Sequence, residues 1–228
     1  MSFIYVLLSL ILLYLSKHRL TFDLHRLIHR LGGNRNTAIV VWSFIFLPGT
    51  IVHEISHFLA AAFTGARTGK IEIFPEYLEE DTDEEEKRTK VALGYVQTQR
   101  LNPIQGFLVG TAPFISGMAL LIFFASLLRS SYLDQNYQLL ILQGYFFFTI
   151  ANSFFPSWVD IQQTIPFIVL TIIAALAAWF FGLQIFLEPT SQVWDILNSL
   201  WQAILISVDI NIFFLILISI LRKLFRLR

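Results

Sequence analysis

The sequence predicts an all-α polytopic membrane protein with about six transmembrane helices and a small β-hairpin between the second and third. Three observations carry this. Hydrophobic residues make up 56% of the 228 and charged residues 14%, against roughly 45–50% and roughly 25% in soluble domains. Six apolar runs come near the roughly 20 residues that span a hydrocarbon core. One connector alternates apolar and polar residues with period two. A soluble fold of this size cannot bury 23 Phe among so many other apolar side chains, so a soluble enzyme and a disordered chain are excluded. The formal net charge is zero, which argues against a globally basic nucleic-acid binder. Cysteine is absent, so disulfides, thiolate metal sites and a cysteine nucleophile are excluded as well. Any metal must be held by carboxylates and by the five His.

Taken in order, the first apolar run is 2–16, a short anchor with no basic residue ahead of it and no small-x-small cleavage site. The stretch 17–36 is basic. Leu20, Leu24, Leu27, Ile28 and Leu31 recur at helical spacing, with His25, Arg26, His29 and Arg30 on the other faces. This predicts an amphipathic helix lying in the membrane interface and stopped by Gly32-Gly33. The second span is 37–64. The connector 67–100 holds two strand candidates, 70–74 and 91–98, around a mostly acidic tip at 79–90. The tip reads as a solvated loop supported by Glu84–Arg88 and Glu86–Lys90 pairs. The remaining spans are 104–128, 137–155, 165–187 and 196–221, followed by a basic tail. The chain divides into 1–36 (anchor and interfacial helix), 37–164 (a three-span core with the hairpin) and 165–228 (two further spans and the tail). With six spans, both termini and the hairpin share one face. Lys and Arg are more numerous there, which makes that face cytoplasmic, in a cytoplasmic membrane of bacterial type.

The second span contains His53-Glu54-Ile55-Ser56-His57. Residues four apart share a helix face, so the two imidazoles can bind one zinc ion. The Glu beside the first His can take a proton from a water molecule activated by the metal. Ionisable groups inside a membrane helix mark function by default. A catalytic zinc takes three protein ligands, so a third must come from elsewhere. Candidates are Asp160 and Asp209 at membrane depth, with Glu188 and Asp195 further out. In the preferred topology Asp160 reaches a depth similar to the two His. Asp209, with Asn211 beside it, also reads as an interhelical hydrogen-bonding pair.

His53-Glu54-x-x-His57, followed about a hundred residues later by Asn152-Ser-Phe-Phe-Pro156-Ser-Trp-Val-Asp160, resembles the site-2 protease family of intramembrane zinc metalloproteases. Gly110-Thr-Ala-Pro113-Phe-Ile-Ser-Gly117 looks like that family's central core helix. The resemblance covers roughly 37–164. Ile161 stands where the family has Gly, and Pro156 is offset by one position. The resemblance implies that His53, His57 and Asp160 hold zinc. It also implies that Glu54 is the general base and later the proton donor, and that Asn152 polarises the scissile carbonyl or positions substrate. It implies membrane-spanning substrate proteins, with a strand edge at Val91, Leu93 and Tyr95 expected to pair with them. Access would be controlled by the outer spans, the acidic tip or a regulatory membrane partner.

Two other readings stand beside this one. A non-proteolytic membrane scaffold or binding protein could retain the fold. A metal transporter could use intramembrane His and Asp, but no inverted repeat is visible. His25 and His29 read as polar groups at headgroup level. Pro48-Gly49 is expected to loosen the second span, and Asn198 with Gln202 to join packing in the last.

Overall fold

In a computed structural model of the chain, the described residues are 2–33, 35–66, 68–72, 76–78, 90–92, 95–98, 101–182 and 190–224. The helices are α1 (Ser2–Arg30), α2 (Arg35–Ile45), α3 (Leu47–Phe63), α4 (Pro103–Leu133), α5 (Tyr137–Ser153), α6 (Trp158–Phe180) and α7 (Ser191–Leu224). Four strand pieces lie between α3 and α4: β1 (Thr68–Glu72), β2 (Glu76–Leu78), β3 (Lys90–Ala92) and β4 (Tyr95–Thr98).

Five helical segments, not six, are long and apolar enough to cross a membrane: Phe3–Arg30, Asn36–Phe63, Pro103–Leu133, Trp158–Phe180 and Ser191–Leu224. Large apolar side chains such as Phe63, Phe180 and Ile141 stand exposed around the bundle, as a lipid-facing surface requires and water would not tolerate. The expected span 137–155 is not among them, because α5 is only 17 residues long. Along α4, Ser131 meets Gln143, Phe124 meets Phe146, Phe114 meets Phe154 and Phe107 meets Phe167. The numbers fall on α4 while they rise through α5 and into α6. Helices α5 and α6 therefore follow one another antiparallel to α4. The interruption lies at 154–157, where Pro156 has no N–H to offer a helix, and Ser157 caps α6. Hydropathy sees two apolar runs there and counts two spans.

The first expected boundary also moves. Segment 2–16 and the interfacial helix form one continuous α1, because no Gly or Pro occurs before Gly32. Gly32, with φ +92°, then ends the helix. Leu20 and Leu27 are buried in the bundle. Phe3 packs on Trp194, Ser16 accepts from Asn211 and Asp23 accepts from Arg222. Numbers rise together in these pairs, so α1 and α7 are parallel. Ser2 and Leu224 thus lie at opposite ends of the bundle, which corrects the expectation of both termini on one face.

The expected single β-hairpin is not the arrangement found. β1 pairs with β4 and β2 with β3, as two separate two-stranded antiparallel pieces, and the first has a register shift between Thr68 and Ile71. In sequence, Pro75 and Gly94 fall between the pieces; Pro cannot donate to a ladder and Gly weakens one. The proposed substrate edge is split accordingly: Val91 pairs with Tyr77, Tyr95 pairs with Glu72, and Leu93 lies outside the described residues. Most of the acidic tip, 79–89, also lies outside them.

Glycines let the helices approach. Gly49 of α3 lies so close to α5 that a Cβ there would collide with the Thr149 carbonyl. On α4, Gly106 and Gly110 receive the first turns of α6, and Gly117 receives Phe154. This small-xxx-small stripe is what brings the start of α6 against α3 and α4.

Candidate metal centre

The centre is built on three helix features. His53 and His57 lie one turn apart on α3. Helix α4 supplies a carbonyl: His57 Nδ1 donates to Val109 O at 2.9 Å. That oxygen would normally accept from the N–H four residues on, but position 113 is Pro, which has none. Pro113 thus frees the acceptor that orients His57. Helix α5 supplies the second carbonyl: His53 Nδ1 donates to Ser153 O at 2.9 Å. Ser153 is the last residue of α5, so its carbonyl is one of those a helix terminus leaves unpaired.

Asp160 comes from the first turn of α6. A capping box holds it: Asp160 N donates to Ser157 Oγ at 3.2 Å and Ser157 N donates to Asp160 Oδ2 at 2.6 Å. The positive end of the helix dipole favours a carboxylate there. Ile161 is exposed and its N–H donates to Ser157 O. The carboxylate is therefore positioned by the cap and needs no glycine beside it.

The three side chains converge. His57 Nε2 is 3.1 Å from Asp160 Oδ1, His53 Nε2 is 3.6 Å from Asp160 Oδ2, and the two Nε2 atoms are 3.2 Å apart. Carbonyls only accept, so each Nδ1 must carry the hydrogen. In the neutral tautomer each Nε2 is then a bare lone pair. Two lone pairs and a carboxylate facing one another repel unless a proton or a metal cation lies among them. Ligand atoms 2.0–2.1 Å from a tetrahedral zinc ion stand about 3.3 Å apart, which the observed separations match. His53, His57 and Asp160 could thus hold a metal ion, and their Nδ1 bonds to carbonyls are the outer-shell support such ligands need.

Glu54, one residue from His53, is buried and within electrostatic reach of both His and of Asp160. Asn152 is also buried, but its carboxamide points to α7. It donates to Phe148 O and to Asn211 Oδ1, each at 2.9 Å, and accepts from Asn211 Nδ2 at 3.0 Å. Asn211 bonds Ser16 in turn, so this clasp ties α1, α5 and α7 together. Asn211, not Asp209, makes the interhelical pair. Asp209 and Asp195 are exposed on α7, apart from the cluster, and Glu188 lies outside the described residues. Sequence reading missed the two orienting carbonyls. One had a visible signal, a proline four residues after Val109.

Gly110 touches the cluster indirectly, since a Cβ there would stand 2.6 Å from both Asp160 O and Thr164 Oγ1. We expect Gly110→Ala to push the first turn of α6 outward and weaken metal binding about tenfold, the low end of outer-shell effects. Gly144→Ala, whose Cβ meets only Leu128 at 3.9 Å, should leave it unchanged. Competition with a chelator measures both.

No family model, curated protein or solved structure matches the chain.

Proposed function

We propose that this protein is an intramembrane zinc endopeptidase that hydrolyses peptide bonds of membrane-spanning proteins. The observation that carries the proposal is the convergence of His53 Nε2, His57 Nε2 and the Asp160 carboxylate within 3.1–3.6 Å, with the buried Glu54 beside them. His53, His57 and Asp160 would be the ligands. A zinc ion bound there supplies Lewis acidity, which acidifies water and polarises a carbonyl. Glu54 takes the proton of the attacking water on its carboxylate and passes it to the leaving amide nitrogen. The carbonyls of Val109 and Ser153 keep both imidazoles in the Nδ1–H tautomer throughout. Asn152 would reach a substrate carbonyl only by exchanging its bond to Asn211. We therefore assign it a positioning role: it anchors the end of α5, whose Ser153 carbonyl orients His53.

A substrate helix has its carbonyls hydrogen-bonded internally, so the segment to be cut must be locally unwound before it reaches the site. The test compares membrane proteomes of cells carrying the wild-type chain with those of cells carrying Glu54→Gln. Intact membrane proteins that accumulate with the variant, and whose fragments occur only with wild type, are the expected substrates. Identical proteomes from a zinc-loaded wild type would favour a scaffold instead, and zinc flux in proteoliposomes a transporter.

A further inference from the structure

Away from the metal centre, α1 and α7 enclose a second constellation. Asp23 is buried on α1 and takes two guanidinium groups: Arg19 Nε lies 3.1 Å from its Oδ2, and Arg222 Nη1 lies 3.4 Å from its Oδ1. Arg222 Nη2 also donates to Ser219 Oγ at 3.2 Å. Arg222 is largely buried, whereas the Arg19 side chain keeps 59% of its exposure and Lys223 is exposed. Beside them runs a groove of about 360 Å³. Its polar end is formed by Arg19, Asp23, Ser219 and Lys223, and its length by Ile212, Leu215, Ile216 and Ile220.

The groove changes character along its axis. From Ile212 to Lys223 it runs along twelve residues of α7, about 16 Å at helical rise. Its deep part is aliphatic. Its outer end lies where the apolar run of α7 stops at Arg222-Lys223, the depth at which lipid headgroups sit. Among the described residues, Asp23 is the one carboxylate lining it. Both Asp23 oxygens are engaged by arginines, so Asp23 positions cations rather than repelling anions. Of the lining side chains, Arg19 and Lys223 outnumber it, and the groove mouth is positive.

We propose that this groove binds an anionic phospholipid, with the phosphate at Arg19 and Lys223 and an acyl chain along Ile212, Ile216 and Ile220. Charge complementarity chooses an anionic headgroup over a zwitterionic one, because basic pockets between transmembrane helices favour such lipids. The aliphatic length chooses a lipid over a free anion. The bound molecule would brace α1 against α7, the two helices that also share the Ser16–Asn211 bond.

The test is native mass spectrometry of the full chain released from micelles holding equal phosphatidylglycerol and phosphatidylcholine. Wild type should retain phosphatidylglycerol in clear excess. Lys223→Gln removes an exposed cation without entering the core, and should reduce that excess about fivefold, the effect of one cation near the surface. Ile216→Trp fills the aliphatic length with the charges intact, and should reduce retention of phosphatidylglycerol to the level of phosphatidylcholine. Glycerol 3-phosphate, which has the phosphate without acyl chains, should not displace the lipid. Equal retention of the two lipids by wild type, an unchanged preference in both variants, or displacement by glycerol 3-phosphate would overturn the proposal.

Discussion

Glu54→Gln should lower cleavage of a membrane substrate by about 10²–10⁴-fold, the range of a positioned general base, while the metal stays bound. The two effects separate because of geometry. Glu54 is not among the convergent ligand atoms. The amide of Gln is nearly isosteric with the carboxylate, so α3 keeps its packing and His53 and His57 keep their bonds to Ser153 O and Val109 O. What is lost is the capacity to take a proton. Some activity above the uncatalysed rate should survive, because Lewis-acid polarisation of the carbonyl does not depend on Glu54. The measurement is cleavage and metal content on the same preparation. Cleavage at the wild-type rate would remove Glu54 from the chemistry. Loss of metal together with cleavage would make it a structural residue of the site.

The second large effect is expected at Asp160, which has two jobs that substitution can separate. As a proposed ligand it supplies the carboxylate of the convergent group. As the third residue of α6 it closes the capping box with Ser157. Asp160→Ala should empty the site of metal and also destabilise the start of α6 by about 1 kcal/mol, the usual cost of a lost cap. Asp160→Asn keeps an oxygen acceptor for the Ser157 N–H, so it should hold the fold near wild type while still binding metal far more weakly. Metal content with thermal unfolding, read on both variants, distinguishes ligation from folding. Equal metal content in wild type and both variants would exclude Asp160 as a ligand. Among the described residues no other His or acid joins His53 and His57 in a convergent group, so the site would then need a ligand from outside them.

The site was legible because its chemistry is local. HExxH puts two imidazoles on one face whatever surrounds it; the carboxylate was left among several candidates by the residues alone and singled out only by the resemblance of 152–160 to a family motif. The bundle was less legible because hydropathy is blind to what a break means. Phe154 to Ser157 interrupts an apolar run, and only the pairing of α5 and then α6 with α4 shows that the two follow one another along it. Irregular backbone at membrane depth is tolerated where protein satisfies its polar groups. Here His53 satisfies the Ser153 carbonyl, and Ser157 with Asp160 caps the start of α6. The continuity of α1 was hidden by its charges. Lys17, Arg19 and Arg26 look like a membrane boundary until Asp23 is found buried against Arg19 and Arg222. Asp209 drew attention because it is charged, yet the neutral Asn211 makes the interhelical bond. The strand pieces were anticipated as one ladder because period-two alternation carries no warning from Pro75 or Gly94 unless each is weighed by position.

The clasp between Asn152 and Asn211 bears on the cluster without joining it. It fixes the end of α5, and with it the carbonyl that sets the tautomer of His53. Pro113 does the same for His57 through the acceptor it leaves free on α4. The centre is therefore preorganised by two interruptions of regular helix, one in each neighbour of α3.

The most direct measurement of the central claim is zinc stoichiometry together with substrate cleavage, on purified full-length wild type and on Glu54→Gln. About one zinc per chain is expected in both, with cleavage by the wild type alone. A wild type that cleaves without zinc, or a Glu54→Gln variant that cleaves as fast as wild type, would contradict that claim.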